Sequence, residues 1–230
     1  MTSTTTNHRS ARLPRAVLVV AALSVIAMLV WSAVQWPDMA AEIVTRESDA
    51  RHGTSRVTRE VTAIAMPLAL LGMTALLAVT PTLDAKLMAG VRRTSDAGRR
   101  ASARVLGAFV VGLSVLFPAL HVAFVALQTG SEPPVTEIVG SAVGVLLVVL
   151  GISLPLARPD GETLGDGEER FRAALGPLYR IGGFALSAVG VGVLVASLLV
   201  PAIAVVVAAG GVALVFVGIG VTAALRARRR

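Results

Sequence analysis

Cysteine is absent from this chain of 230 residues, which excludes disulfides, thiolate metal sites and cysteine nucleophiles. Histidine is nearly as scarce. Its three copies lie far apart and do not have the spacing of metal ligands. Charged residues make up 15% of the chain, whereas a soluble domain carries about 25%. Phosphate-binding glycine loops and the short motifs of zinc and serine hydrolases are also missing. We therefore expect neither an enzyme nor a cofactor.

Apolar residues are correspondingly frequent: they make up 55% of the chain, and its mean hydropathy is +0.78. They gather into six runs that contain no Asp, Glu, Lys or Arg. A helix needs about 20 apolar residues to cross about 30 Å of hydrocarbon. The sequence thus predicts an all-α fold, a polytopic transmembrane helix bundle of six spans. The runs are Ala16–Val34, Val61–Thr80, Val105–Leu127, Ile138–Ala157, Ile181–Val200 and Ala202–Leu225.

Two of these assignments need an argument beyond length. The first run has 19 residues, more than the about 7–15 apolar residues of a cleaved signal peptide, so we expect a retained span. The last two spans form one apolar stretch of 45 residues from Ile181 to Leu225. Pro201 lies near its middle and has no backbone N–H to continue a helix. A tight hairpin of two spans is therefore predicted there.

The arginines orient the chain. Only four of the 21 basic residues, namely Arg46, Arg51, Arg56 and Arg59, fall on one predicted side, and the other seventeen fall on the opposite side. Because basic loops stay in the cytoplasm, both termini are predicted to be cytoplasmic (N-in, C-in), with the spans in the cell membrane. The net charge of +7 then needs no nucleic acid as a partner; the partner it does imply is the lipid bilayer.

Seven segments follow from this topology. They are a basic cytoplasmic tail at 1–15, spans one and two with their external loop at 16–84, a basic cytoplasmic loop at 85–104, spans three and four at 105–157, a cytoplasmic loop at 158–180, the hairpin of spans five and six at 181–225, and a basic tail at 226–230. In the 158–180 loop, Phe171, Ala174, Leu175 and Leu178 recur at helical spacing. This pattern predicts a short amphipathic helix that lies at the membrane interface.

His121 is the one strongly polar ionisable group inside a predicted span, three residues after Pro118. A titratable group at membrane depth is a functional hypothesis by default. No carboxylate shares the spans with it, so a proton relay is poorly supported. The carbonyl that Pro118 frees offers a nearby acceptor. We favour a neutral imidazole that is hydrogen-bonded locally or reaches outward to the interface.

Small residues mark where spans are expected to touch. Gly140 and Gly144 form a GxxxG pattern in the fourth span, and Ala188, Gly192 and Ala196 recur every four residues in the fifth. Such rows let helix backbones approach closely, which is how helices associate when lipid supplies no hydrophobic drive. Both rows are predicted packing faces.

Several motifs in order resemble the SdpI-type bacterial membrane proteins, whose N-terminal part is a domain of unknown function. The motifs are Trp36-Pro37-Asp38 after the first span, the external segment Ser48–Arg56, Met66-Pro67-Leu68 in the second span, Thr80–Asp84 after it, and Gly151–Pro155 followed by Arg158-Pro159. The chain departs from the family at two places. Met39–Ile43 lacks its Ile-Pro-x-His element, and Gly161–Gly167 does not supply its Gly-Ile-Arg-Thr motif.

The resemblance implies immunity or signalling by binding, with an external peptide and a cytoplasmic regulator as partners. In that setting Arg92, Arg93, Arg99 and Arg100 of the basic loop are candidate docking residues for the regulator. Their ordinary role is to orient the protein and to touch anionic lipid head groups. The alternative function is a small transporter or channel component, against which the absence of charged residues inside the spans weighs. No pattern in the sequence sets an oligomeric state.

The topology is tested by reporter fusions after residues 50, 95, 132, 165, 201 and 230, which should read outside, inside, outside, inside, outside and inside. A cytoplasmic signal at 132 would refute the six-span arrangement. A cytoplasmic signal at 201 would refute the hairpin alone.

Overall fold

The computed structural model describes residues 13–46, 54–87, 96–156 and 166–229 of the chain. Helices dominate this part of the molecule, and a short antiparallel hairpin is its one sheet. The helices are α1 Arg15–Gln35, α2 Arg59–Leu87, α3 Asp96–Gln128, α4 Val135–Ser153, α5 Asp166–Leu199 and α6 Pro201–Arg229. The strands are β1 Glu42–Arg46 and β2 Ser55–Thr58, and single turns of 3-10 helix follow α1 at Trp36–Asp38 and α4 at Leu154–Leu156.

All six helices are long and apolar enough to cross a membrane, which confirms the predicted fold class. Helices α1, α2, α3 and α6 contain the whole of the apolar runs that predicted them, whereas the fourth run continues past the end of α4 at Ser153 and the fifth ends one residue after α5, at Val200. The predicted hairpin is also confirmed: α5 ends at Leu199, α6 begins at Pro201, and Val200 alone lies between them. Proline serves well as a first helical residue because its missing N–H would have had no partner there.

The helices extend beyond the apolar runs, into three segments that the sequence analysis described as loops or a tail. The basic loop at 85–104 is largely helical, because α2 continues to Leu87 and α3 starts at Asp96. The amphipathic segment of the 158–180 loop is the first part of α5, continuous with the fifth span, and no separate interfacial helix forms from it. The tail at 226–230 continues α6 as far as Arg229. Hydropathy marks the part of a helix suited to hydrocarbon, whereas backbone hydrogen bonding continues through Ala and Arg, which are good helix formers.

The segment between α1 and α2 contains structure that its sequence did not predict. Strands β1 and β2 pair antiparallel, with Ile43 opposite Val57. Thr58 ends the hairpin and caps α2, since its Oγ1 accepts a bond of 3.4 Å from the N–H of Val61. An exposed ion pair joins Arg56 to Glu42 at 3.3 Å. The loop is therefore a folded hairpin built directly onto the start of α2, not only a solvated connector.

The six helices form two clusters of three, joined where α3 packs on α4. In the first cluster, α1, α2 and α3 enclose a core that includes Met28, Leu70 and Leu113. In the second, α5 lies between α4 and α6, and Leu147 and Val193 belong to its core. The outermost helix, α6, has only 6% of its most apolar stretch buried, compared with 39% for the spans in α3 and α5. Apart from the side that packs on α5, where Val207 and Val212 contact the core, most of α6 is left uncovered by the other described helices.

Glycine brings α4 and α5 together, and the predicted GxxxG is at the contact. Gly140 and Gly144 are both buried. A Cβ added at Gly144 would lie 2.6 Å from Leu194 Cγ and 2.9 Å from the carbonyl oxygen of Gly190, and one added at Gly190 would lie 2.7 Å from the backbone N of Val148. The backbones meet directly at this crossing, so even a methyl group has no room there.

The row predicted on α5 is not the one that meets α4. Ala188 is exposed, and the nearest atom to a Cβ at Gly192 is in Val207 of α6, 4.0 Å away; only Ala196 is buried. The residues that contact α4 lie one to five positions from the nearest member of this row: Gly183, Ser187, Gly190 and Ser197. Small residues are frequent all around this helix, so their four-residue spacing could not indicate which face meets α4.

The glycine contact yields a matched pair of substitutions. Gly190→Ala places a methyl group against the α4 backbone and should lower the thermal unfolding midpoint of the detergent-solubilised protein, because neither backbone can yield. Gly210→Ala is the control, since no atom lies within 4 Å of its added Cβ. It should be neutral or slightly stabilising because alanine favours helix. Equal midpoints for the two variants would show that α4 and α5 do not meet at this glycine.

Candidate functional site: a polar seam between α1 and α3

Helices α1 and α3 lie side by side and point in the same direction. At one end, a Cβ on Gly107 would lie 3.2 Å from Val17; at the other, Gln128 contacts Ala40. Between these ends two further polar contacts join the helices, one at Ser24 and one at Ser32. We call these three polar contacts, at Ser24, Ser32 and Ala40 along the α1 side, the seam.

The first seam contact satisfies a carbonyl that proline leaves free. Pro118 lies inside α3 and has no N–H to donate to the carbonyl of Ser114, one turn earlier. The hydroxyl of Ser24 on α1 donates to that carbonyl at 3.0 Å. We had expected this acceptor to serve His121, but α1 supplies the donor instead. Since a backbone group without a partner is costly in hydrocarbon, α3 depends on α1 here.

His121 forms the second contact, two turns further along α3. Its side chain is completely buried, with 0% exposed. Nε2 lies 2.8 Å from Ser32 Oγ and 3.0 Å from the carbonyl oxygen of Met28, both on α1. The sequence suggested an imidazole that reaches outward or bonds within its own helix. The ring does neither, because both of its partners lie on α1. It fixes α3 against α1.

The contacts of Nε2 decide which ring nitrogen carries the proton. A bare Nε2 would face the Met28 carbonyl with two lone pairs opposed, and a protonated Nδ1 would be a buried donor with no partner within the described residues. A protonated Nε2 instead donates to Met28, with Ser32 Oγ as a second acceptor. The cost is then an unpaired acceptor at Nδ1, which proteins tolerate better than an orphaned N–H. We assign the proton to Nε2.

The third contact closes the far end of the seam. Gln128 is 1% exposed, and its Nε2 donates to the carbonyl of Ala40 at 2.8 Å, while the main-chain carbonyl of Gln128 accepts from the Ala40 N–H, also at 2.8 Å. The next residue, Ala41, accepts from the N–H of Arg59 at 3.1 Å. The segment after α1 is thereby tied to the end of α3 and the start of α2.

A groove of about 400 Å³ opens beside the seam, between α1 and α2. It is mainly apolar, and Ser32, only 3% exposed, provides its hydroxyl. The residues that line the groove are Leu29, Ser32, Ala33, Trp36, Pro37 and Ala63. The same serine therefore contacts His121 on one side and the groove on the other.

An arginine stands at the rim of the groove. The guanidinium carbon of Arg59 lies 4.7 Å from the centroid of the Trp36 ring, a cation–π contact. Arg59 Nε donates to Glu60 Oε1 at 3.4 Å, and its Nη groups have no acceptor within the described residues. Tryptophan and arginine at the end of an apolar helix mark the membrane–water interface.

The predicted docking arginines contribute little to the described structure. Arg92 and Arg93 lie outside the described residues, and so does the side chain of Arg99. Arg100 is exposed on the second turn of α3, and it has no ion pair in the part of the chain that the structure covers. The structure does not join it to the seam.

Ser24, Ser32 and Gln128 were missed as site residues. Serine and glutamine are unremarkable in a sequence, and their partners here are 88–90 residues away. One signal was present: an interior proline in a span requires a donor from elsewhere, and the two serines are the polar residues of the first apolar run. Within the described residues no group of three or more His, Asp or Glu could hold a metal ion.

Comparisons with protein-family models, with curated proteins and with solved structures give no match to this chain. Its function is therefore argued from its own residues.

The seam predicts an unequal effect of two serine substitutions. Ser24→Ala leaves the Ser114 carbonyl without a donor, so it should cost about 1–3 kcal/mol of unfolding free energy. Ser32→Ala should cost nearer to about 0.6 kcal/mol, an average interhelical bond in a membrane, because the Met28 carbonyl keeps its bond to His121. Denaturation of the purified protein in mixed micelles measures both.

Pro118→Ala provides the control, since an alanine at this position would restore the N–H that the Ser114 carbonyl lacks. In that background Ser24→Ala should have little effect. If Ser24→Ala costs the same with and without Pro118, the serine does not act by satisfying the freed carbonyl.

Proposed function

We propose that this protein works by binding and not by catalysis or transport: a bacterial cell-membrane protein of the SdpI type, concerned with immunity or signalling. In this proposal an external peptide is recognised on the hairpin side and a regulator docks on the cytoplasmic side. The carrying observation is the use that the fold makes of His121. It holds α1 against α3 and is completely buried.

Transport coupled to ions normally uses charged or titratable groups that face a cavity inside the membrane. The apolar runs of this chain contain no Asp, Glu, Lys or Arg, and their one histidine is packed between two helices. Ser24 and Gln128 are likewise engaged in holding helices together. The intramembrane polar groups of the seam therefore have structural partners, which favours a rigid scaffold over a moving carrier.

The two paired strands offer a surface for recognition. Their described residues, 42–46 and 55–58, are anchored, since Ala40 before β1 is clamped by Gln128 and Thr58 caps α2. A surface held in place before binding loses little conformational entropy when a ligand arrives. This supports the binding of an external peptide, the partner that the family resemblance implies.

The cytoplasmic side carries the charge that a regulator would meet. The segment from Asp84 to Arg104 contains six basic residues and two acids, beside two spans. Each basic residue near an anionic leaflet contributes up to about 1 kcal/mol of attraction, so orientation and lipid contact account for part of this charge. In the proposal, Arg92, Arg93, Arg99 and Arg100 also bind acidic groups of the regulator.

The docking residues are tested in pairs, Arg92 with Arg93 and Arg99 with Arg100, each changed to Gln. Crosslinking in intact cells should recover a soluble cytoplasmic protein with the wild-type chain, and less of it with either pair, because long-range attraction to acidic groups is reduced. Membrane abundance and reporter topology should stay unchanged.

The matched control changes Arg46 and Arg51 to Gln, which removes the same charge from the predicted external side. It should leave recovery intact. If wild-type membranes yield no soluble partner, or if the cytoplasmic pairs invert the topology, the arginines serve as an orientation signal alone and the docking role is wrong.

A further inference from the structure

The hydroxyl of Ser32, which lines the groove between α1 and α2, has a hydrogen without an acceptor in the described structure. Because His121 Nε2 carries its proton toward Met28 and Ser32, the Ser32 oxygen acts as an acceptor in that contact. The hydrogen of the hydroxyl meets no other acceptor within the described residues. Ser32 is 3% exposed and lines the groove, so a molecule in the groove is placed to supply the acceptor for this hydrogen.

The other residues that line the groove indicate what kind of molecule would fit it. Leu29, Ala33, Pro37 and Ala63 supply apolar walls, so most of the occupant is hydrocarbon. From Leu29 to Trp36 the groove follows α1 for about 10 Å, at about 1.5 Å per residue. A molecule that fits this groove is therefore mostly apolar and has one hydrogen-bond acceptor at the level of Ser32.

The rim adds a third requirement. Arg59 is held on the face of Trp36 at 4.7 Å; its Nε contacts Glu60, and its Nη groups meet no acceptor within the described residues, so they are placed to bind an anion. Guanidinium and phosphate pair well because several donors meet several oxygens. Ser32 lies one turn, about 6 Å along the axis, from Trp36. The occupant therefore has an anionic group, then an acceptor about one helical turn deeper, then hydrocarbon.

We propose that this groove is a binding site for a single glycerophospholipid. Its phosphate binds Arg59 at the rim, an ester carbonyl accepts the hydrogen bond from Ser32, and the acyl chain lies along Leu29 and Ala63. A phospholipid carries these three groups in this order along its length. Lipid is also the molecule that surrounds these helices at this depth. The site is independent of the proposed function, and it holds for whichever leaflet Trp36 faces.

The test uses lipids that differ only in the acceptor. The full-length protein is delipidated in detergent and offered equal amounts of diester phosphatidylglycerol and its diether analogue, which lacks the carbonyls. Bound lipids are then counted by native mass spectrometry. Wild type should retain one diester lipid in preference to the diether by about threefold, the equivalent of one interhelical-strength hydrogen bond.

Three variants test which residues cause the preference for the diester lipid. Ser32→Ala should bind both lipids equally, and Ser24→Ala, a serine of the same helix outside the groove, should keep the wild-type preference. Arg59→Gln should weaken retention of both lipids alike, because both carry the phosphate. The preference is a ratio within one sample, so a general loss of stability does not change it.

Equal retention of the two lipids by wild type would overturn the hydrogen bond to Ser32, and this comparison requires no variant to fold. A diester preference that survives Ser32→Ala would place the acceptor contact elsewhere. If no lipid remains at a stoichiometry of one, the groove is not a lipid site.

Discussion

The arrangement of the first three helices depends on one requirement: a carbonyl inside the membrane needs a donor. Pro118 removes the donor for Ser114, and Ser24 on α1 replaces it. This bond and the His121 contact fix α1 parallel to α3 at two heights. Helix α2 packs against both of them, with Leu70 buried in the shared core. The proline inside one helix thus gives two helices a reason to stay together.

The two halves of the molecule use different means of association. The α1–α3 pair is held by side-chain hydrogen bonds between helices, whereas the α4–α5 pair relies on glycine and direct backbone approach around Gly144 and Gly190. Both are solutions for a solvent that gives helices no hydrophobic reason to associate. Hydrogen bonds specify a register because donor and acceptor must coincide, while glycine contacts gain their specificity from shape. Helix α3 joins the two systems, since its opposite side packs on α4, where a Cβ on Gly112 would meet Leu146.

Much of this architecture could be predicted from the sequence because the bilayer imposes a length and a polarity on every span. The break at Pro201 and the glycine pair at 140 and 144 follow from local rules of that kind. The partner of His121 does not, since Ser32 is 89 residues away and no periodicity relates them. The face of α5 was equally beyond reach: Ala188 and Gly190 are both small, and only the position of α4 decides which is buried. The hairpin of β1 and β2 lay hidden in a polar stretch without strong strand alternation.

The single residue between α5 and α6 constrains how the protein is made. Val200 is the whole connection, and no charged residue occurs from Ile181 to Leu225, so there is no hydrophilic loop for the insertion machinery to translocate. The fifth and sixth helices must therefore partition into the bilayer together, as a preformed helical hairpin, after both have been synthesised. Because only 6% of the most apolar stretch of α6 is buried, its place in the membrane depends on lipid partitioning in that step more than on packing against the rest of the bundle.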